Sequence, residues 1–414
     1  MKDVLIRKAV IIHQGSAYHN MKMDVLVVDG KIDKIAEHIE GKFSDLIEGH
    51  ELYCCIGLCD IGTKSGEPGH EHRETIHSLT KAALAGGYTC LAIFPDNNPI
   101  TQTKANVRYL KDHPERNSVD LIPIGALSVD CKGEEITEYL DMMSEGVLTF
   151  SDGLSSISNS GLLARALQYA GQANGSIIHR PEDSYLSNHG QMHEGNMSTS
   201  MGLVGIPEIA ESQMLHRDIS LQKYAGGRLI EHCISSSEAV ELIENVKTES
   251  KNIFATVAYL NLLKTDQDLH DFDTNLKVKP VLRSEQDRMS LINGIKTDIL
   301  DAIVSNHVPL DTESKELEFT FARFGASGLE TCLAACITNL KDQLGLEKII
   351  YKMTTGPRLL LNLPIPNIEV GEDANLCVFD CGESHKIEKS LSKSINNPLI
   401  NDKMSVKIKA TIKY

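Results

Sequence analysis

Two histidines separated by one residue, His70 and His72, follow the first strongly apolar segment of the chain. On a β-strand this spacing places both side chains on one face, where they can bind a metal ion. On a helix the same two positions lie about 200° apart and cannot converge on one ion. The Pro-Gly pair before them and the acids Glu71 and Glu74 are typical of a helix start, where the dipole favours negative charge. We therefore predict that His70 and His72 are exposed residues at the start of a helix.

The apolar segment before these histidines, GLCDI, predicts a buried strand that delivers Asp60 towards a pocket. The strand end then continues with Gly62, Thr63 and Lys64. A zinc site needs at least three nitrogen, oxygen or sulfur atoms directed at one point. Glycine offers no such atom, and a lysine ammonium repels a cation unless it loses its proton. The residue types at the end of this strand therefore do not predict a metal site.

The central part of the chain alternates apolar strand segments, turns and amphipathic helices, and this alternation predicts parallel strands with helices outside, as in a β/α barrel. In such barrels the chemistry lies at the carboxyl ends of the strands. Two long irregular segments, 184–216 and 306–328, are typical of loops that cover a barrel mouth. We expect functional residues in the segments that follow the strands: 62–66, 95–99, 150–153, 179–183, 232–235 and 305–309.

Composition excludes several classes of partner. The net charge of −16 argues against nucleic acid and anionic membranes. The sequence has no apolar run of about 18 residues, which a membrane span would need. The ten cysteines contain no C-x-x-C pair, which favours reduced thiols. The first residues lack the apolar core of a signal peptide. Together these features predict a cytoplasmic protein.

Segments along nearly the whole chain resemble the dihydroorotases of the cyclic amidohydrolase group. The matching segments include GLCDIGTKSGEPGHEHRETI, FPDNNP, TFSDG, HRPED, GQMHEGNMS, CISSSEAVELI, LKVKPVLRSEQDR, AIVSNHVPL and FGASGLET. The resemblance implies an α/β fold, with a (β/α)8 TIM-type barrel over residues 56–364. It also implies a small β-sandwich domain assembled from residues 1–55 and 365–414, since both chain ends are rich in short strand patterns.

The resemblance implies zinc-dependent hydrolysis or closure of a cyclic amide, but the residues at the ligand positions differ from the family pattern. These positions are Gly62, Lys64, Arg180, Cys233 and Asn306. A one-residue shift would put His179 in place of Arg180, and His232, beside Cys233, is expected to point the other way on a strand. Asn306 stands where the family has an aspartate, and an amide cannot act as a general base. We therefore expect no catalytic residue and no zinc.

Several polar residues match the family pattern or stand at its ligand or substrate positions, and they define a vestigial pocket. They are Asp60, Lys64, Asn98, Asp152, Arg180, Cys233, Lys279 and His307. Asn98 matches an asparagine that grips substrate in the family, and Lys279 replaces another. The cations Lys64, Arg180 and Lys279 could form an anion site, or each could pair with a nearby acid.

The resemblance leads to three functional hypotheses. The first is an inactive dihydroorotase-like protein of pyrimidine biosynthesis that forms a homodimer, or a complex in which it is a scaffold for aspartate transcarbamoylase. The second is an active cyclic amidohydrolase, a dihydroorotase or related enzyme, with an atypical single-metal site. The third and weaker one is a sensor of an anionic small molecule.

Overall fold

The computed structural model describes residues 3–414. The strands, in chain order, are β1 (Asp3–Ile11), β2 (Lys22–Val28), β3 (Lys31–Ala36), β4 (Asp45–Ile47), β5 (Leu52–Ile56), β6 (Leu58–Thr63), β7 (Tyr88–Ile93), β8 (Asp120–Pro123), β9 (Gly125–Ala126), β10 (Thr149–Ser151), β11 (Ser176–His179), β12 (Met192–His193), β13 (Gly205–Ile206), β14 (Arg228–Glu231), β15 (Ile253–Ala258), β16 (Ala302–Val304), β17 (Asn375–Asp380), β18 (His385–Lys386), β19 (Lys403–Met404) and β20 (Lys407–Lys413). The α-helices are α1 (Ile76–Ala85), α2 (Lys104–Lys111), α3 (Tyr139–Met143), α4 (Ser160–Gln172), α5 (Asn196–Met201), α6 (Ile209–Ala225), α7 (Ser237–Lys247), α8 (Tyr259–Leu263), α9 (Glu285–Lys296), α10 (Thr312–Lys315), α11 (Cys332–Leu344), α12 (Leu346–Met353) and α13 (Thr355–Leu360).

Both ends of the chain contribute to one separate sheet. Its strand order is β20-β17-β5-β1-β2-β3, and β4 pairs with β1. Apolar side chains from the two ends, such as Ile11, Val25 and Val378, pack together in one buried cluster. The predicted separate terminal sheet is thus confirmed. The second face of a sandwich and the domain boundaries 1–55, 56–364 and 365–414 stay predictions.

The central strands run parallel and follow the order of the chain. One sheet has the order β6-β7-β8, and the other has the order β9-β10-β11-β14-β15-β16. A single residue separates β8 from β9, and its amide, Ile124 N–H, still bonds to Ile93 O at 3.0 Å. At the opposite edge, Lys64 N–H donates to His307 O at 3.0 Å, which links the end of β6 to the segment after β16. The α/β class and the barrel-like strand order are as predicted, while a continuous eight-strand ladder stays a prediction.

Alternate residues of these strands pack on opposite sides, as expected for strands that are buried on both faces. Ala92, Ile178 and Val304 come from distant strands but share one apolar cluster. Their neighbours Leu91 and Ile303 belong to a different cluster, which includes residues of the surrounding helices. The carboxyl ends of these strands therefore meet around one shared interior.

Helix α1 begins later than the sequence pattern predicts. Thr75 is its N-cap and accepts a hydrogen bond from Ser78 N, so the helix begins at Ile76. His70 and His72 lie in the turn before it, and that turn is fixed by a bond from Arg73 Nε to Asp311 at 2.8 Å. His72 is exposed and His70 half-buried.

The two segments predicted as long loops differ from each other. Residues 184–216 are not one irregular loop, because they contain β12, α5, β13 and the start of α6. Residues 306–328 contain only the short helix α10. Buried Lys315 donates to Arg323 O and Gly325 O at 2.9 Å each and so holds this second segment in place. None of the helices in residues 3–414 has the length and apolar character needed to cross a lipid bilayer.

Candidate functional site

The end of β6 carries an ion pair at the barrel mouth. Lys64 Nζ lies 2.6 Å from Asp96 Oδ2 and also donates to Asp96 O at 3.1 Å. Asp96 follows β7, so the two residues belong to neighbouring strand ends. Next to it, Asn97 is buried and donates to Ser65 Oγ at 3.0 Å, whereas Asn98 is exposed and its backbone bonds to the Pro68–Gly69 turn. The amide that lines this part of the mouth is therefore Asn97, not the predicted Asn98.

Gly62 has no room for a side chain. Its φ is +83°, and a Cβ placed there would lie 2.7 Å from the Phe94 ring and 2.8 Å from His232 Nε2. His232 thus points towards Gly62, not to the opposite side as expected from strand alternation. Burial lowers the pKa of His232 to about 3, so its ring is neutral. An aromatic ring and a neutral imidazole occupy the volume that a side chain at position 62 would need.

Arg180 and His179 face different environments. His179 Nδ1 lies 2.7 Å from Asp218 Oδ2 on α6, and its Nε2 accepts from Ile157 N–H at 2.8 Å. His179 is therefore fixed against the helix layer. Arg180 lines a cavity at the mouth together with Lys279. The sequence left open whether Arg180 or His179 stands at the family ligand position. The structure places Arg180, and not His179, in the mouth.

Three further residues predicted for the site, Cys233, Asn306 and His307, are buried or bonded within the protein. Cys233 is buried, and desolvation raises the pKa of its thiol, which keeps it protonated. Asn306 donates from Nδ2 to Lys279 O at 3.0 Å. His307 Nδ1 accepts from Gly328 N–H at 3.1 Å, and its Nε2 lies 3.7 Å from Glu74 Oε2. His307 is therefore held between two backbone segments and does not line a mouth cavity among those described.

Asp60 and Asp152 are also structural. Asp60 is fully buried and accepts from Ser305 N at 2.7 Å, Ser305 Oγ at 2.6 Å and Thr63 Oγ1 at 2.6 Å. Asp152 accepts from Ser128 N at 2.7 Å and from the Ser128 hydroxyl. Burial raises the pKa of both carboxyls. Asp60 joins β6 to the segment after β16, Asp152 joins the segments after β9 and β10, and neither forms an ion pair with the mouth cations.

The donors at the family ligand positions do not fit a zinc ion. Two of the five positions carry cations, one has no side chain, one is a buried neutral thiol and one is an amide that already donates a hydrogen bond. Zinc requires several converging neutral or anionic donors. The Lys64 ammonium, at one of these five positions, is held in place by its ion pair with Asp96.

Elsewhere in the described residues, His179, Asp218 and Glu231 bring potential ligand atoms within 4.8 Å of one another. His179 Nε2 accepts a backbone N–H, so the ring proton is on Nδ1, the atom that faces Asp218. A protonated Nδ1 cannot bind a metal. Both Glu231 oxygens are buried without a hydrogen-bond partner in residues 3–414. Desolvation and the neighbouring Asp218 hold the pKa of Glu231 well above its usual range, so Glu231 is protonated. With the ring proton on Nδ1 and Glu231 protonated, the three residues form a buried polar cluster and not a metal site.

Glu231→Gln is expected to remove a pH dependence of stability. Because the pKa of Glu231 is raised in the folded state, the folded protein keeps this proton at pH values where the unfolded chain has lost it. The contribution of Glu231 to stability is therefore fully present below the ordinary pKa of 4.5 and is lost as the pH rises towards the folded-state pKa. The wild-type free energy of unfolding should therefore fall by up to about 1.4 kcal/mol per pH unit in this window. Urea unfolding between pH 5 and 8 measures the slope, which should be smaller in the variant. The exposed Glu244→Gln on α7 is the control, and parallel profiles for Glu231→Gln and wild type would contradict the assignment.

Two cavities open at the mouth and share Phe324. The larger is about 470 Å³ and includes Arg180, Glu182 and Lys279. The smaller is about 200 Å³ and includes Lys64. A still larger cavity of about 780 Å³ lies between the terminal sheet and α12. None of its lining residues belongs to the strand ends that carry the predicted site, so the mouth cavities are the candidate functional site.

Comparison with known proteins identifies the family. A family described as dihydro-orotase-like matches residues 53–259. The dihydroorotase of Syntrophus aciditrophicus is 35% identical over 397 residues, which cover 94% of this chain and 93% of that protein. The dihydroorotase of Pelotomaculum thermopropionicum is 36% identical, with 91% and 89% covered. The chain belongs to the dihydroorotase family. The resemblance found in the sequence motifs is confirmed.

Solved structures with a similar fold are more distant in sequence. The L-hydantoinase (dihydropyrimidinase) from Arthrobacter aurescens has a TM-score of 0.85 at 22% identity, and covers 100% of this chain and 97% of its own. The dihydropyrimidinase from Brevibacillus agri has a TM-score of 0.81 at 18% identity, with 98% and 92% covered. At these identities the likeness concerns the fold of this dihydroorotase-family chain.

Sequence reasoning missed three residues of the mouth in this dihydroorotase-family chain. They are Asp96, Asn97 and Phe324. Asp96 and Asn97 do fall in the segment 95–99 that strand ends had indicated, and their position directly after a buried strand was the available signal. Phe324 lies in the segment 306–328 that was predicted to cover the mouth, but within that segment the sequence did not single it out as a pocket residue.

Proposed function

We propose that this member of the dihydroorotase family is a non-catalytic protein of pyrimidine biosynthesis whose barrel mouth lacks a zinc site. The observation that supports this most is the Lys64–Asp96 ion pair beside Gly62, at the end of the first barrel strand. A fixed ammonium and a glycine stand at two of the positions where a metal-dependent relative would need ligands. The buried thiol of Cys233 and the amide of Asn306 add no metal-binding or proton-accepting group.

We further propose that the chain acts as a structural partner of aspartate transcarbamoylase, or as a homodimer. This proposal comes from the family resemblance and from the loss of the catalytic donors, which leaves assembly as a function that the fold can still serve. Size-exclusion chromatography of the chain, alone and mixed with the aspartate transcarbamoylase of the same organism, tests it. Co-elution would support the proposal, and a monomer in both runs would contradict it.

An active cyclic amidohydrolase with an atypical metal site is the second candidate. It is favoured by the relatives at 32–36% identity, which bear the name dihydroorotase. In that case one of the mouth cations would have to leave its carboxylate partner when a metal binds. The two candidates therefore differ in metal content as well as in turnover.

We expect the purified chain to contain far less than one equivalent of zinc and to show no turnover of dihydroorotate. The physical reason is the donor set at the mouth, which offers a metal no three converging ligands. Elemental analysis by mass spectrometry and a dihydroorotate hydrolysis assay, with and without added zinc, measure both quantities. The dihydroorotase of Syntrophus aciditrophicus, prepared in parallel, is the positive control. One tightly bound equivalent of zinc together with turnover would establish the enzyme instead.

A further inference from the structure

The larger mouth cavity contains an arginine whose guanidinium has no direct hydrogen-bond or ion-pair partner in the described residues. Arg180 is 9% exposed, and its Nε is buried without a hydrogen-bond partner. Within residues 3–414, its guanidinium makes no side-chain hydrogen bond and no ion pair shorter than 4.0 Å. Arginine stays protonated at all physiological pH values, and burying it without a partner is costly. A buried, charged and unpartnered group that lines a cavity points to a ligand of opposite charge.

The other charged groups of the cavity neutralise each other. Lys279 Nζ pairs with Glu182 Oε1, and the Ser187 hydroxyl donates to the same carboxylate at 3.0 Å. Burial works to raise the pKa of Glu182, but Arg180 and Lys279 outweigh it and the pKa is lowered, so Glu182 is ionised. Arg180 contributes to this effect without bonding to the carboxylate. The cavity therefore has one positive charge in excess, and Arg180 is the cation that forms no ion pair.

The rest of the cavity lining suits a small organic anion. Ser155, Asn188 and the half-buried ring of Phe324 provide a hydroxyl, an amide and an aromatic surface. The volume of about 470 Å³ is in the range of small-molecule sites. A single excess charge matches a carboxylate better than a doubly charged phosphate, and the planar guanidinium fork matches the two carboxylate oxygens.

We propose that this cavity binds a small molecule through one carboxylate group, with Arg180 as the anchor and Phe324 against the body of the ligand. The inference goes beyond the proposed function and does not depend on it, because it rests on the cavity and its charges and not on the absence of catalysis. It also resolves the alternatives for the mouth cations. Lys64 and Lys279 pair with acids, whereas Arg180 stays available to a ligand.

Isothermal titration calorimetry of the full chain with orotate, nicotinate, succinate and acetate tests the proposal. Uracil, which is orotate without the carboxylate, and inorganic phosphate are the comparison ligands. We expect at least one carboxylate to bind while uracil does not. Arg180→Gln should weaken that binding roughly tenfold or more, since it removes a charge-assisted hydrogen-bonding group. Arg165→Gln, the same change on the exposed side of α4, should leave binding unchanged.

Three results would overturn the proposal: no carboxylate binds the wild type, Arg180→Gln binds as well as the wild type, or phosphate binds more tightly than every carboxylate. Circular dichroism establishes whether Arg180→Gln is folded. If Arg180→Gln is not folded, carboxylate binding is measured with Arg180→Lys instead, because lysine keeps the charge and loses the planar fork. Weaker carboxylate binding by this variant supports the anchor, and unchanged binding contradicts it.

Discussion

Gly62→His, which restores the residue type that the family resemblance places at this position, is expected to unfold the protein more readily and not to create a zinc site. A side chain here must adopt a φ of +83° and must displace the Phe94 ring and His232. The left-handed backbone costs about 1–2 kcal/mol and overpacking a further 1–3 kcal/mol, so the free energy of unfolding should fall by roughly 2–5 kcal/mol. Guanidinium unfolding followed by circular dichroism measures this change.

A pair of alanine variants separates the two causes. Gly202 also has a left-handed backbone, with φ +67° and ψ +28°, but a Cβ there would meet nothing within 4 Å. Gly202→Ala should therefore show only the backbone cost of about 1–2 kcal/mol. Gly62→Ala should exceed it, because the added methyl meets buried rings. Equal losses of unfolding free energy in the two variants would show that Phe94 and His232 move aside without an energetic cost. The steric argument against a ligand side chain at position 62 would then be wrong.

Asp60→Ala should produce a second large loss of stability. The substitution leaves Ser305 N–H and the hydroxyls of Ser305 and Thr63 without their buried acceptor. At about 1–3 kcal/mol for each of these three groups, the free energy of unfolding should fall by roughly 3–9 kcal/mol. Because Asp60 joins the first barrel strand to the segment after the last, the lost stability should also appear as faster amide hydrogen exchange along β6 and β16, measured by mass spectrometry.

Asp60→Asn is the matched variant for this prediction. It keeps one oxygen for Ser305 N–H, and the two hydroxyls can reverse and accept from the new amide. Burial already raises the pKa of Asp60, so a neutral replacement is better tolerated than for an exposed acid. We expect a clearly smaller loss than for alanine. An Asp60→Ala variant with wild-type stability but altered ligand binding would instead identify Asp60 as a pocket residue.

The general architecture could be predicted because it depends on local patterns. Apolar runs such as TCLAIF predict strands that are buried on both faces, and β7 is buried along its whole length. The terminal sheet follows from strand-rich ends of the chain, and the family from motifs spread along the sequence. The residues at which helices begin were less predictable. The helix start moved to Ile76 because the side chain of Thr75, and not the Pro-Gly turn, caps α1.

The directions of the side chains at the strand ends could not be predicted from the rule that successive residues of a strand point to opposite faces. Gly62 and Cys233 have positive φ, and the pairing of β6 with β7 shifts its register between Ile61 and Thr63. Such irregularities change which face the next side chain occupies. They explain why His232 lies against Gly62, although alternation predicted that it would point away.

The sequence by itself determined which groups are present at the mouth: a glycine and a lysine after the first barrel strand, an arginine, a cysteine and an asparagine at the other ligand positions. Only the tertiary structure decided how these groups are used. Lys64 pairs with Asp96 across 32 positions of sequence and Lys279 with Glu182 across 97, while Arg180 forms no ion pair with an acid in residues 3–414. Pairing of charges depends on distances in space, and those distances are set by which strand ends the fold brings together.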